Sequence, residues 1–160
     1  MTPEPFDPLG MLAALERNRV TYVIIGAFAG VIHGSDETTR GLDVTPSLRP
    51  ENLARLTAAL ADLQGNSAVT AERLADAPTT RVDTPRGRLQ IIPRPAGTRG
   101  YDDLCRGATR EPLGHGLRPQ VAGVPDLIRS LEALDPTANH DHITRLQRVA
   151  ELSRGLTIDL

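Results

Sequence analysis

The stretch Val20–Ser47, VTYVIIGAFAGVIHGSDETTRGLDVTPS, decides how this chain of 160 residues folds. Val20–Ile25 is a run of β-branched and aromatic side chains, the composition of a strand buried on both faces. Gly26 breaks it. Ala27–His33 is short and apolar and stops at Gly34, which reads as a helix closed by a glycine. Gly26, Gly30 and Gly34 fall four apart on nearly one helical face, so the backbone there packs closely onto a sheet. The apolar stretch Val20–Ile32 is too short for a bilayer, which takes about 20 such residues, so no membrane role is expected. Leu42-Asp43-Val44 is a second short strand, ended by Pro46.

Working outward, Asp7 and Pro8 form an N-cap and first-turn pair for a helix carrying Leu9, Leu12, Ala13 and Leu15, ended at Asn18 and Arg19. Pro50 and Glu51 open an amphipathic helix through Leu53, Leu56, Leu60 and Leu63, stopped by Gly65. Thr79–Thr84 and Arg88–Ile92 flank the turn Pro85-Arg86-Gly87 as a hairpin. Tyr101–Arg106 is helical and Leu117–Val121 strand-like. Val124-Pro125-Asp126 starts a helix through Leu127, Ile128, Leu131 and Leu134, and a last helix spans about His142–Leu152. No repeat or low-complexity tract occurs. One α+β domain is expected over 1–160. Its core covers about residues 7–122, with a small mixed sheet flanked by helices, and its helical C-terminus covers about 124–153.

Composition sets limits on the chemistry. All 18 basic residues are Arg, which excludes a P-loop lysine, a Schiff-base lysine and any lysine general base. The single Cys105 excludes a disulfide within the chain and a multi-cysteine zinc site. With no Trp, two Tyr and two Phe, stacking platforms for single-stranded nucleic acid are not expected. A net charge of −2 exerts no global pull on polyanions, though local arginine patches remain. The start MTPEPFDPLG lacks the basic and apolar regions of a secretory leader, and a cytoplasmic location is expected.

Val20–Ser47 resembles the signature of the polymerase-β-like nucleotidyltransferase superfamily. In that signature a strand leads into Gly-Gly or Gly-Ser, a short helix follows, and Thr-Arg-Asp-hydrophobic-Asp ends the second strand. FDPLGMLAALERNRV, TPRGRLQIIP, GYDDL and VPDLIRSLEAL extend the likeness over most of the chain, and together they resemble the AbiEii-like toxins of bacterial toxin–antitoxin pairs. The resemblance implies an α/β-type nucleotidyltransferase fold and Mg²⁺ or Mn²⁺ as cofactor. It also implies an NTP as ligand, tRNA or another acceptor, and a cognate antitoxin as partner, with a homodimer as a further assembly. Nucleotidyl transfer uses two divalent cations, and carboxylates two apart on a strand share one face and bridge them. By resemblance, Gly26, Ala27, Ser35, Thr39 and Arg40 contact the nucleotide and Asp43 binds metal.

Position by position, the chain departs from that pattern. Ala27 stands where the family has Gly or Ser, a mild change. Gly41 replaces the first metal aspartate, Gln90 the third carboxylate, and Leu131 the lysine of the toxin branch. Gly41 offers no ligand, and Gln90 is a neutral donor where Mg²⁺ prefers carboxylate oxygen. Asp36 and Glu37 on the preceding loop, and Asp83 if the hairpin sets it opposite Gln90, are the substitute carboxylates, with Asp83 the leading one. Three readings follow. The first is a catalytically impaired protein (a pseudoenzyme) that binds nucleotide, RNA or a partner. The second is an active metal-dependent transferase, and the third a scaffold subunit with a vestigial pocket.

Other residues have plainer readings. His140-Asp141-His142 is a solvated helix start, because residues two apart do not share a helical face. Cys105 is a buried structural thiol, and His33 satisfies a buried hydrogen bond near the pocket. Arg81, Arg86, Arg88, Arg94 and Arg99 cluster around the hairpin as a solvated face or as a phosphate and RNA rim.

Overall fold

Asp7 and Pro8 start the first helix as the sequence requires. In the computed structural model, α1 spans Pro8–Arg17, and the Asp7 carboxylate accepts the Gly10 N–H at 3.0 Å. The structure describes residues 5–66 and 69–158, and the reading of residues 1–4 as free of a leader lies outside them. Asn18 caps α1, and Arg19 turns the chain with φ 57° so that the Val20 N–H reaches the Leu15 carbonyl. β1 therefore begins later than its β-branched run, at Tyr22–Ile25, because Val20 and Thr21 are engaged elsewhere.

Gly26 converts strand to helix at φ +72°, and α2 spans Gly26–Ile32. β2, Gly41–Pro46, returns antiparallel beside β1, with Ile25 opposite Asp43 and Tyr22 opposite Pro46. α3, Pro50–Asp62, buries Leu53, Leu56 and Leu60. It ends before Gly65, with Gln64 at φ 56° and the Gly65 N–H bonded back to the Leu60 carbonyl. A short α4, Ala71–Asp76, was not expected from the sequence; Thr70 caps it by accepting the Arg73 N–H. β3 (Thr80–Thr84) and β4 (Gly87–Ile91) form the expected hairpin.

After α5 (Tyr101–Gly107), β5 (Thr109–Arg110) and β6 (Gln120–Val121) complete the sheet. Only the end of the Leu117–Val121 run joins it: Pro119 has no N–H for the ladder, and Leu117 makes an isolated bridge to Gly114. α6, Val124–Leu134, and α7, His140–Ile158, follow; α7 is longer at both ends than its apolar periodicity indicated. The six-stranded sheet runs β3-β4-β2-β1-β6-β5. β2–β4 and β1–β6 are parallel, while β1–β2, β3–β4 and β5–β6 are antiparallel, which is the mixed sheet expected of this α+β fold.

The core joins α1, α3 and one sheet face through fully buried Leu12, Leu15, Leu56, Leu42, Val44, Leu89 and Ile91. One polar residue is built into it. Asn52, 3% exposed, accepts the Thr21 N–H at 2.7 Å and donates to the Thr21 and Ser47 carbonyls at 2.9 and 2.7 Å. It thereby fastens α3 to the start of β1 and the end of β2. Among the described residues no helix is long and apolar enough to cross a membrane.

Candidate functional site

Side chains alternate across β2, so Asp43 lies on the face opposite the fully buried Leu42 and Val44. The parallel register with β4 sets Asp43 beside Gln90 and Gly41 beside Arg88. Antiparallel pairing with β1 sets Asp43 beside Ile25, directly before α2 starts. The turn is crowded: a Cβ on Gly26 would stand 2.5 Å from Asp43 Oδ2, so both the positive φ and the close approach require glycine. Burial pushes the Asp43 carboxyl above its ordinary range, and the nearby Arg88 guanidinium pulls it back in part.

Gly41 leaves its space to that same arginine. A Cβ built at position 41 would lie 2.9 Å from Arg88 Nε and 3.1 Å from Nη2. Arg88 Nε is buried and has no hydrogen-bond partner. A neighbour of Asp43 on the sheet is thus a cation.

Asp43 opens into a cavity of about 490 Å³ between the sheet, α2, α6 and α7. Gly26 and Ala27 line it on one side, and Ile92, Leu127, Leu131 and Leu146 form apolar walls. Glu37 reaches it from the loop after α2, its side chain 7% exposed. His142 donates from Nδ1 to Glu37 Oε2 at 2.9 Å, and Arg145 Nη1 stands 4.0 Å from the same oxygen. Asp126 contributes a further carboxyl, raised by burial and drawn down by Arg129 at 3.1 Å. Arg94 is the cavity's arginine.

The residues singled out in the sequence divide accordingly. Gly26, Ala27, Asp43 and Leu131 line the cavity; Ser35, Thr39, Arg40, Gly41, Asp83 and Gln90 are not among its lining residues. The Ser35 hydroxyl is buried without a partner, and Thr39 shapes the entry to β2 by donating to the Gly41 carbonyl at 3.1 Å. Arg40 is exposed. Asp83 pairs with Arg88 across the hairpin, while Arg81 is the residue opposite Gln90. The Asp83 carboxylate is held by Arg81 at 3.1 Å and lies near Asn66. Asp36 is 81% exposed and faces Arg145.

Among the substitute carboxylates, Glu37 is therefore the one brought into the cavity of Asp43. Reading His140-Asp141-His142 as a solvated start fits exposed His140 and Asp141 but not His142, which turns inward to Glu37. These two lie 105 positions apart with no shared periodicity, so their meeting left no sequence signal. His33 Nε2 donates to the Ala122 carbonyl at 2.8 Å, and Cys105 is a half-buried thiol directed at the Asp102 carbonyl.

These donors do not fit a two-cation centre. Gly41 supplies nothing, Gln90 is neutral, Arg88 adds positive charge, and His142 already holds Glu37. Among the described residues, no three His, Cys, Asp or Glu side chains are grouped to hold a metal ion.

No protein-family model matches the chain, and no curated protein matches it by sequence. Solved structures do. A Thermotoga maritima protein assigned as a nucleotidyltransferase superposes with a TM-score of 0.55 at 12% identity, covering 93% of this chain and 89% of the other. The solution structure of the antibiotic-resistance factor ANT(2'')-Ia superposes with a TM-score of 0.51 at 14% identity, covering 93% and 91%. The sheet order, the strand–glycine–helix turn and these superpositions agree: the chain has the nucleotidyltransferase fold.

Proposed function

We propose that this protein is an AbiEii-like member of the nucleotidyltransferase fold that holds a nucleotide without transferring it. The observation that carries this reading is the Arg88 guanidinium in the side-chain space of Gly41. On β2 and β4 Asp43 is left with Gly41, Gln90 and Arg88 as neighbours where transfer needs clustered carboxylates. The apolar walls accept a base, and Arg94 at the same cavity meets phosphate charge. A cognate antitoxin, by resemblance, is the protein partner.

A second reading, an active metal-dependent transferase with tRNA or another acceptor, is favoured by one observation: Glu37 shares the cavity with Asp43. One experiment separates the two. The protein is incubated with Mg²⁺ or Mn²⁺, labelled NTPs and bulk tRNA, beside a Gly41→Asp, Gln90→Asp variant. Robust transfer by the natural sequence overturns the non-transferring reading. In parallel, thermal denaturation is followed against NTP, where a ligand at 100 times its Kd adds about 2.7 kcal/mol. No shift with any NTP removes nucleotide binding.

A further inference from the structure

The five arginines around the hairpin have different surroundings. Arg81 pairs with Asp83, and Arg86 pairs with Asp7. Arg88 turns toward Gly41 and Asp43. Arg94 and Arg99, both on the loop between β4 and α5, form no ion pair among the described residues. They meet Arg49, an exposed residue at the start of α3 that is equally unpaired, around a second cavity of about 370 Å³. Position 49 lies far from the hairpin in sequence, so only the fold assembles the trio.

Arg49, Arg94 and Arg99 all line one concavity, with Arg94 Nη1 3.5 Å from the Ala75 carbonyl, and their like charges repel one another unless an anion sits between them. Asp102 is the acidic residue of this lining, and it forms no ion pair with any of the three, so the cavity keeps an excess of positive charge. In a chain whose net charge is −2, that excess is local and specific. Arginine binds phosphate oxygens in pairs through its planar fork, which selects phosphate over a simple halide. Ser47 and Tyr101 supply hydroxyls beside it; the Tyr101 hydroxyl already accepts from Gln120 at 2.9 Å. Arg94 lines both cavities, so a phosphate held in the second one lies next to whatever fills the first.

We infer that Arg49, Arg94 and Arg99 form a phosphate site, separate from the Asp43 cavity and contiguous with it through Arg94. Its ligand is a phosphate group of a polyanion, carried either by a free polyphosphate or by the backbone of an RNA strand. The inference holds whatever occupies the first cavity and whether or not nucleotide is transferred there.

The test titrates the full chain with fluorescein-labelled single-stranded RNA of about twelve nucleotides, within the site sizes common for such strands, and separately with inorganic triphosphate by calorimetry, at several salt concentrations. Arg49→Ala and Arg99→Ala are each expected to weaken binding about fivefold or more. If RNA is the source, each also flattens the slope of log K against log salt by about 0.7. Arg81→Ala and Arg86→Ala, whose guanidinium groups already face carboxylates, serve as controls and change affinity less than about twofold. Binding of triphosphate but not RNA assigns the site to a free polyphosphate, and binding of RNA assigns it to a strand. Thermal denaturation of each variant verifies that it is folded. The inference is overturned if neither anion binds, or if the paired and unpaired arginines lose affinity equally.

Discussion

The guanidinium of Arg88 occupies the space into which a side chain at Gly41 would project, with Nε 2.9 Å from the Cβ position. The two residues are cross-strand partners in the parallel β2–β4 pair, so their meeting is set by register and not by a chance rotamer. Aspartate placed at 41 would meet a cation before it met a metal ion. Gly41→Asp alone is therefore expected to form an ion pair with Arg88 and leave Mn²⁺ affinity unchanged. Adding Gln90→Asp and Arg88→Ala to it restores a carboxylate cluster around Asp43 and raises Mn²⁺ affinity about tenfold or more. Electron paramagnetic resonance of free Mn²⁺ reads both results. Tight Mn²⁺ binding by the natural sequence contradicts this account.

Asp43 makes stability depend on pH in a defined direction. Its folded-state carboxyl titrates above the ordinary 3.8, chiefly because of burial. Between those two values the native state binds more protons than the unfolded state, so stability falls as pH rises through the window. Ionised Asp43 thus costs stability at neutral pH. Asp43→Asn is expected to raise Tm at neutral pH, with the gain shrinking as pH falls and vanishing below 3.8. A Tm difference that is the same in acid, below that value, as at neutral pH refutes the burial argument.

Most of the fold is legible in local chemistry. Asp7-Pro8, the β-branched run before Gly26, the Pro85-Arg86-Gly87 turn and Val124-Pro125 each announce an element through residues adjacent in sequence. The misses are short or set by distant partners. α4 is six residues long and β5 two, too brief for a periodic signal. β1 starts late because Asn52, from another element, takes the Thr21 N–H. The site is less legible for the same reason. Asp43 and Gly26 lie within one strand–helix–strand unit and could be paired from sequence. Glu37 with His142, and Arg49 with Arg94 and Arg99, meet only after the sheet has closed.

Asn52 carries a measurable share of that closure. Its amide serves three backbone groups of Thr21 and Ser47 inside the protein. Asn52→Ala strands the Thr21 N–H and the Ser47 carbonyl, while the Thr21 carbonyl keeps the Ser47 N–H at 3.1 Å. The expected loss is about 3 kcal/mol. For a chain of this length that lowers Tm by about 6–12 °C. Chemical denaturation at fixed pH measures it. A loss below about 1 kcal/mol would mean that water replaces the side chain without penalty.

Glu37 likewise takes its partner from far along the chain. Its carboxylate is nearly inaccessible and depends on His142 Nδ1 at 2.9 Å, with Arg145 farther away at 4.0 Å. α7 is also attached by an apolar stripe of Ile143, Leu146 and Val149 and by Arg145, 3.6 Å from the Asp36 carboxylate. His142→Ala removes the closer donor and leaves the carboxylate under-satisfied, at an expected cost of about 1–3 kcal/mol. Because α7 packs mainly on α6, the loss should be local before it is global. Amide exchange in α7 is expected to quicken more than exchange in β1 and β2. A second variant, Glu37→Leu, removes the buried charge together with the need for a donor, so adding His142→Ala to it should cost less than His142→Ala costs alone. Equal costs in the two backgrounds would show that the histidine packs against the cavity wall and does not act through the carboxylate.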